Sequence, residues 1–309
     1  MPQPLSFPEF SWSLSRHKTL MDCARKYAYS YYASHLGWKP TAAPLSRHAY
    51  RLKQMKHVEM MFGEAVHQVI EEVLQQLRRG LPMPGEELLT QEVRRRLNQS
   101  FLDSKHKMEQ WRENPKSIHM LHEMYYEGVL PEEKTAEIRE RLAACVRNFM
   151  QSRTVQEILE TKTLHFVEAE KFRSMYMSGV KVWVVLDFLY RDNTTGIYTI
   201  VDWKTGRETM EDRHQLALYA IYVQQKYAIP LEQIRIRNEY LLSGVHQEYA
   251  LTSKDVRDVQ LVLGVSVQEM QKYVADSNKN QPIDLADFEQ TIHEATCRRC
   301  NFQELCMRG

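Results

Sequence analysis

The stretch Tyr198–Gly206, with the sequence YTIVDWKTG, constrains the fold more than any other part of the chain. Its β-branched and aromatic residues, followed by a Thr-Gly pair, predict a β-strand that ends in a turn. Side chains alternate along a strand, so Asp202 and Lys204 point to the same face. Because an unpaired buried charge is costly, a purely structural strand rarely places an acid and an amine together on its inner face. The pattern therefore indicates a functional site at the end of this strand.

A second strand-like segment precedes this one and also ends in an acid. Residues 181–188, KVWVVLDF, are rich in β-branched and apolar side chains and place Asp187 near their end. Two neighbouring strands that each supply a carboxylate, with a lysine beside one of them, offer the donors of a divalent-metal site. The alternative is a hairpin whose terminal charges are solvated, since short motifs also occur by chance.

These residues resemble the core of the PD-(D/E)XK nuclease superfamily. Asp187 followed by Asp202-x-Lys204 resembles its acids and lysine, and the run IVDWKTG is similar to its RecB-like branch. The resemblance implies an α/β fold, a restriction-endonuclease-like core with a mixed central sheet flanked by helices. It also implies a deoxyribonuclease in which Asp187, Asp202 and the Trp203 carbonyl hold Mg²⁺ or Mn²⁺, while Lys204 orients or helps deprotonate the attacking water.

Two helical motifs extend the resemblance. A helix is predicted over about 55–79, and its sequence GEAVH, which ends at His67, resembles the family's G-x-x-x-H helix, whose histidine reaches the metal. A helix predicted over about 210–228 carries Gln215 and Tyr219 four residues apart, and so on one face. It resembles the Q-x-x-x-Y helix beside the RecB-like active site. Without the resemblance, the sequence indicates that His67 is a core histidine and that Gln215 and Tyr219 are polar residues of an amphipathic helix.

A further strand is predicted over residues 164–172, where Glu168 and Glu170 share one face. The family often has an acid at this point. The sequence does not say which glutamate would approach the metal, and both could instead pair with Lys171 or Arg173.

The cysteines Cys23, Cys145, Cys297, Cys300 and Cys306 are odd in number and follow no signal-peptide pattern, which argues against a disulfide framework. The C-x2-C-x5-C spacing at the end indicates metal ligation, and a tetrahedral sulfur site needs a fourth thiolate, from Cys23 or Cys145. RecB-like members with an iron–sulfur cluster take their first ligand from an early cysteine followed by a basic residue and an aromatic one. This resemblance implies a 4Fe–4S cluster on Cys23, Cys297, Cys300 and Cys306, which would clip the N- and C-termini together, as in the similar CRISPR-adaptation and AddB-type nuclease domains. Cys145 is then a buried apolar residue, and a zinc staple is the alternative.

The motif order predicts four segments. These are N-terminal helices of the nuclease core over 1–79, a helical insertion over 80–163, the catalytic sheet and its helices over 164–275, and a cysteine tail over 276–309. The first segment is expected to begin with a helix over about 11–38, capped by Ser11 or Ser13. Its aromatic residues could stack bases, but aromatics more commonly build the core.

The insertion carries basic clusters at Arg94–Arg96 and Lys105–Lys107 together with Trp111, Tyr125 and Tyr126. These residues suit either solvated helical faces or a cap that contacts a threaded strand.

Charge and composition limit the function further. The formal net charge is +1, so nucleic-acid binding would need a local basic groove. No apolar run approaches the ~20 residues that a membrane span needs, which favours a cytoplasmic protein without membrane partners. The prediction is an exonuclease on single-stranded DNA or DNA ends, in repair, recombination or defence, with a helicase or recombination partner. The alternative is a catalytically silent DNA-binding module or a helicase–nuclease subunit, against which the intact acids and lysine argue.

Overall fold

A mixed β-sheet with helices on both faces forms the centre of the molecule. The structure is a computed structural model that describes residues 6–161, 163–209 and 211–306, and the side chains of residues 170, 171 and 211 lie outside this description as well. Among the described residues the strands of the main sheet are β1 (Ser11–Trp12), β2 (Leu164–Met177), β3 (Val180–Asp192), β4 (Tyr198–Lys204), β5 (Ile234–Tyr240) and β6 (Val245–Ala250).

Strand β3 has neighbours on both of its edges. On one edge β2 runs antiparallel to it along nearly its whole length. On the other edge β1 pairs in parallel at Lys181 and Val182, and β4 pairs antiparallel from Phe188 to Arg191. Strand β4 continues in parallel to β5, which is antiparallel to β6. The resulting order, β1-β3-β4-β5-β6 with β2 beside β3, is the mixed central sheet that the sequence predicts.

Helices pack on both faces because each face presents apolar side chains that must be buried. On one face, α1, α2, α10 and α11 share a core with Ile200 of β4, and on the other, α4, α5 and α8 share a core with Val201 and Trp203. The helices are α1 (Leu14–Asp22), α2 (Ala24–Ala28), α3 (Pro44–Lys53), α4 (Val58–Arg78), α5 (Glu86–His106), α6 (Met108–Glu113), α7 (His122–Tyr126), α8 (Glu132–Met150), α9 (Arg153–Glu160), α10 (Glu211–Tyr227), α11 (Ser253–Gln271), α12 (Glu294–Arg298) and α13 (Gln303–Cys306). Strands β7 (Val274–Asp276) and β8 (Gln281–Pro282) form a small separate hairpin.

The single helix predicted over 11–38 is wrong. Ser11 and Trp12 join the sheet, and Ser13 caps α1 by accepting a hydrogen bond from the N–H of Arg16 (3.2 Å). Cys23 has an extended backbone, with φ −170° and ψ 116°, so it ends α1 and precedes α2. Its sulfur accepts the N–H of Lys26 (3.4 Å), as a capping side chain does. The break lets Cys23 leave the helix axis.

The predicted insertion contains helices α5 to α9, and its aromatic residues are used in packing. Trp111 is buried, Tyr125 donates to Glu304 Oε1 (2.8 Å), and Tyr126 donates to the carbonyl of Asn301 (2.7 Å). These rings therefore support the C-terminal tail instead of standing open to bases. Over the described ranges, no helix is both long and apolar enough to cross a bilayer.

Candidate active site

The two predicted carboxylates lie where β3 and β4 separate. The last backbone pair between these strands is Phe188 opposite Val201. Just beyond this pair, Asp187 and Asp202 are 8% and 2% exposed. Oδ2 of Asp187 accepts a hydrogen bond from the backbone N–H of Trp203 (2.9 Å). The carboxylate thus takes the place of a strand partner at the point where the ladder ends, and this holds Asp187 at the fork.

Lys204 lies beside Asp202, as strand alternation predicts. Its Nζ is 2.8 Å from Asp202 Oδ2 and donates to Gln215 Oε1 at 2.8 Å. Gln215 in turn donates to Asp202 Oδ1 (3.3 Å) and to the hydroxyl of Tyr219 (2.6 Å). Helix α10 therefore supplies an amide that bridges the acid and the amine of β4, so these four predicted residues form one hydrogen-bonded cluster.

Helix α4 brings His67 to the other side of the fork. Nδ1 of His67 is 3.5 Å from Asp187 Oδ2, and its side chain is 27% exposed. One turn earlier, a Cβ added to Gly63 would lie 3.3 Å from Oγ1 of Thr205, at the end of β4. Gly63 therefore lets the helix lie close to the residue that follows β4, and a larger side chain would require a small shift of the Thr205 side chain.

The electrostatics of the fork favour added positive charge. Burial and the nearby Asp187 raise the pKa of Asp202 to about 6, against the opposing influence of Lys204 and His67. Burial alone would lower the pKa of Lys204, but the carboxylates of Asp202 and Asp187 raise it above its ordinary value. Lys204 is therefore an ammonium, and it shares the site with two buried acids that repel each other.

The donor set suits a divalent cation, although the donors are not gathered at one point. Carboxylate oxygens bind Mg²⁺, and an added imidazole nitrogen favours Mn²⁺. In the part of the chain that the structure describes, ligand atoms of His67, Asp187 and Asp202 do not all come within 4.8 Å of one another. Lys204 and Gln215 each lie at one oxygen of Asp202, and His67 lies at Asp187.

The backbone and the side chain of Trp203 make different contacts. Its N–H binds Asp187, and its buried indole stacks on Phe188 with ring centroids 6.1 Å apart, on the side of the helical insertion. Its carbonyl stays a predicted metal ligand.

Glu168 belongs to a different cluster. It accepts hydrogen bonds from Arg173 (2.6 Å), Lys226 (2.9 Å) and Tyr227 (2.7 Å). Burial alone would raise the pKa of Glu168, but these donors hold it below its ordinary value. Glu168 is thus an ionised carboxylate whose charge is balanced by Arg173 and Lys226, and it links β2 to α10. Its predicted pairing with Arg173 is confirmed. The side chain of Glu170 lies outside the described residues.

The predicted cluster cysteines meet at one cavity. Cys23, Cys297, Cys300 and Cys306 line a space of about 120 Å³ between α2 and the tail. The N–H of Phe302 donates to the sulfur of Cys300 (3.4 Å), and burial raises the pKa of that thiol to about 11. Within the described ranges, no three of the four sulfurs lie within 4.8 Å of one another.

Cys145 lies elsewhere, as the sequence predicts. It is fully buried among the apolar residues of α4, α5 and α8, and this burial raises its pKa to about 12. It therefore behaves as a small apolar core residue.

Sequence reasoning missed a cluster of His57, Glu59 and Glu123, whose ligand atoms lie within 4.8 Å of one another. The Nζ of Lys134 already lies 2.6 Å from Glu123 Oε1 and 3.2 Å from Glu59 Oε1. The ammonium bridges the two carboxylates, and the cluster joins α4, α7 and α8. Glu123 lies far in sequence from His57 and Glu59, so no local spacing could have revealed the cluster.

Arg141 of the insertion is a second feature that the sequence did not reveal. It donates to the carbonyl of Thr205 (3.1 Å), and its guanidinium lies 5.0 Å from the ring centre of Phe62. The insertion thereby contacts the turn that follows Lys204 and supports the end of β4.

Comparisons with known proteins identify one family. A family model described as the PD-(D/E)XK nuclease superfamily matches residues 11–307, a span that includes all the predicted site residues. No curated protein matches the chain. A solved structure titled "Crystal structure of SSO0001" is similar at 15% identity, over 60% of this chain and 79% of that chain, with a TM-score of 0.27.

Proposed function

The chain belongs to the PD-(D/E)XK nuclease superfamily, and from this premise we propose that it is a metal-dependent deoxyribonuclease. Members of this superfamily are typically nucleases that use divalent metals. The observation that carries the proposal is the fork itself, where Asp187, Asp202 and Lys204 converge with His67 and Gln215. A nuclease-fold module without activity would have no need to keep two repelling acids buried beside a lysine.

The residues of the fork have distinct roles in this proposal. Asp187, Asp202 and His67, with the Trp203 carbonyl, would hold a divalent cation, which when bound polarises the scissile phosphate and activates water. Lys204, charged and fixed by Gln215, can orient the attacking water and offset negative charge on the phosphate in the transition state. Its raised pKa makes it a poor proton acceptor at neutral pH, so orientation is favoured over general-base catalysis.

Gln215 and Tyr219 act as positioning residues. The amide of Gln215 contacts both Asp202 and Lys204, and the Tyr219 hydroxyl fixes that amide. Partners of this kind set the orientation of the groups that touch metal or substrate.

We infer that the preferred substrate is single-stranded DNA or a DNA end, digested as an exonuclease would, in repair, recombination or defence. The support is the RecB-like motif order together with a cleft of about 570 Å³ that opens beside Gln215 and Tyr219. Its volume lies in the range of pockets that take single small ligands, about 300–1,000 Å³, and so suits one or two unpaired nucleotides.

We also propose that Cys23, Cys297, Cys300 and Cys306 hold a structural 4Fe–4S cluster. The four sulfurs line one cavity, and backbone N–H groups already point at two of them. Four thiolates are the ordinary ligand set of such a cluster, and a zinc ion bound by the same four is the alternative.

The nuclease proposal is tested by digesting one labelled single strand in linear and circular forms, with Mg²⁺, Mn²⁺ or EDTA. We expect the linear strand to shorten from an end only when metal is present, and Asp202→Ala to leave it intact. Cleavage of the circle at the rate of the linear strand would contradict exonuclease action. Cleavage in EDTA would contradict metal dependence.

A further inference from the structure

The cleft beside the candidate active site carries positive charge. Gln215 and Tyr219 form part of its wall, and its charged lining residues are the cations Arg16, Lys18 and Lys53. These residues come from α1 and α3, away from the acids of the fork. A phosphate chain that leaves the fork would therefore meet cations along this wall.

Aromatic rings lie between these cations. In the wall of the cleft, the guanidinium of Arg16 is 4.5 Å and the ammonium of Lys53 is 4.9 Å from the ring centre of Tyr31. Two further rings line the same cleft. Phe172 is 66% exposed and lies against Trp183, with ring centroids 4.8 Å apart. Exposed rings of this kind are platforms for unpaired bases.

A second cleft, of about 760 Å³, begins at Lys53, which lines both spaces. It extends from α3 to the loop after α6 and includes a single acid, Glu113, among its described lining residues. Its cations are Lys39, Arg47, Arg51, Lys53, Arg112 and Lys116. Such a concentration of positive charge stands out in a chain whose formal net charge is +1.

Lys53 is where the two clefts meet. Burial lowers its pKa to about 8, and the charged groups from either side that add to this shift are both cations, Arg16 and Lys116. Both neighbours repel the Lys53 ammonium, and a bound phosphate would offset that repulsion.

The second cleft also has an exposed ring held in place. Trp38 is 57% exposed, and its ring centre lies 5.7 Å from that of Tyr50. The turn that carries it presses on α3, because a Cβ added to Gly37 would lie 2.2 Å from the carbonyl oxygen of Ser46. The glycine is therefore required for the close contact that fixes Trp38 at the cleft.

We propose that this second cleft is a distal binding subsite for a single-stranded nucleic acid whose other segment lies at the fork. The inference rests on the proposed nuclease function, which it deepens. Cations bind the phosphates and Trp38 stacks an unpaired base, while the bases of a duplex stay paired and present no free face. A long strand then contacts both clefts, and a very short one contacts only the cleft beside the fork.

The test measures binding of fluorescent oligothymidylates of about 5 and about 20 nucleotides in EDTA, lengths that bracket common site sizes. For the long strand we expect Trp38→Ala to raise Kd about 10-fold, because stacking one base contributes ~1–3 kcal/mol. Combined Arg47→Gln and Lys116→Gln should lower the salt slope by about 1.4, or ~0.7 per phosphate contact. With metal, the variants should cleave the short strand at the wild-type rate.

The matched control is Lys254→Gln with Lys272→Gln, which removes two exposed charges from α11 and its C-terminal end. Oligouridylates of the same lengths show whether the subsite binds RNA as well as DNA. A loss of affinity in the variants for either the long DNA or the long RNA supports the subsite. The inference would be overturned if the variants bound the long strand as tightly as wild type. It would also be overturned if the control variant lost as much affinity, or if the variants lost as much affinity for a blunt duplex. If wild type cleaves and the variants bind normally, only the subsite fails; if wild type never cleaves yet the variants lose affinity, only the nuclease proposal fails.

Discussion

At the residue scale, the behaviour of the fork depends on what holds the two oxygens of Asp202. Lys204 lies at one oxygen and Gln215 donates to the other, while Asp187 is held separately by the N–H of Trp203. The carbonyl oxygen of Gln215 also accepts a hydrogen bond from the Lys204 Nζ, so one amide positions both the acid and the amine.

For this reason we expect Gln215→Ala to reduce the cleavage rate about 10- to 100-fold, the usual effect of losing a group that orients metal ligands. The concentration of Mn²⁺ needed for half-maximal activity should rise as well. Tyr219→Phe is the milder companion, because it keeps the ring and removes only the hydroxyl that steadies the amide. An unaltered rate and metal requirement in Gln215→Ala would contradict the positioning role.

His67 gives a separate expectation. Since it is partly exposed and 3.5 Å from Asp187, His67→Ala should lose activity that raised Mn²⁺ partly restores, with little change in melting temperature. The measurement is the cleavage rate of wild type and His67→Ala as a function of Mn²⁺ concentration, with the melting temperature of both proteins recorded in parallel. A lower melting temperature with an unmoved metal requirement would instead assign His67 a packing role.

At the element scale, the insertion is joined to the nuclease core by partly buried polar contacts. Lys134 of α8 pairs with Glu59 of α4 and Glu123 of α7, and Arg141 of α8 binds the turn after β4. These contacts couple the helices of the insertion to both the histidine helix and the lysine strand. Disturbing them should therefore lower the stability of the fork as well as that of the insertion.

Glu123 makes this coupling measurable as a function of pH. Burial alone would raise its pKa, but the nearby His57 imidazole and the hydrogen bond from Lys134 hold it at about 2, below the ordinary 4.5. The stabilisation is thus complete above pH 4.5 and is lost as the pH falls through 2. At pH 7 we expect Glu123→Gln to lower the free energy of unfolding by about 3 kcal/mol.

Urea unfolding at several pH values tests this expectation, with the exposed neighbour Glu133→Gln as the control. The difference between wild type and Glu123→Gln should shrink as the pH falls below 4.5. A difference that stays constant from pH 7 to pH 3 would show that the carboxylate charge is not the stabilising feature.

At the scale of the whole molecule, helix α2 and the residues after it contact the segment 286–305 beside the core. Arg25 donates to the carbonyls of Phe288 (2.9 Å) and Ala286 (2.6 Å), and Tyr29 donates to that of Leu305 (2.9 Å). The four-cysteine cavity lies within this contact region. A cluster there would close the chain almost end to end and add its binding free energy to folding.

We accordingly expect iron and acid-labile sulfide in anaerobically prepared protein, at about four of each per chain. Cys23→Ser and Cys300→Ser should lose both and melt at lower temperature, with disorder after about residue 290 and a secondary fall in DNA affinity. Cys145→Ser should keep them. Zinc in place of iron would indicate a zinc staple, and loss of metal from the Cys145 variant alone would mean that the fourth ligand was misassigned.

Much of this arrangement could be predicted because the informative residues lie close together in sequence. Asp202 and Lys204 are two apart on a strand, and Gln215 and Tyr219 are four apart on a helix, so local periodicity places each pair on one face. The break at Cys23 could not be predicted, because the helical pattern continues across it and only tertiary pairing shows the change. The Glu59–Glu123–Lys134 cluster and the basic cleft from α3 to the loop after α6 join distant segments, and no local spacing records them.

We propose that the fork of β3 and β4 hydrolyses DNA, and the variant Lys204→Ala is the sharpest test of this activity. Cleavage of a labelled single strand is measured at fixed Mn²⁺ for wild type, Lys204→Ala and the exposed control Lys254→Ala, with DNA affinity and melting temperature recorded in parallel. We expect Lys204→Ala to bind DNA and stay folded while its cleavage rate falls about 100- to 1,000-fold, the usual loss for one transition-state donor. A Lys204→Ala cleavage rate within about twofold of the wild-type rate would contradict DNA hydrolysis at this fork.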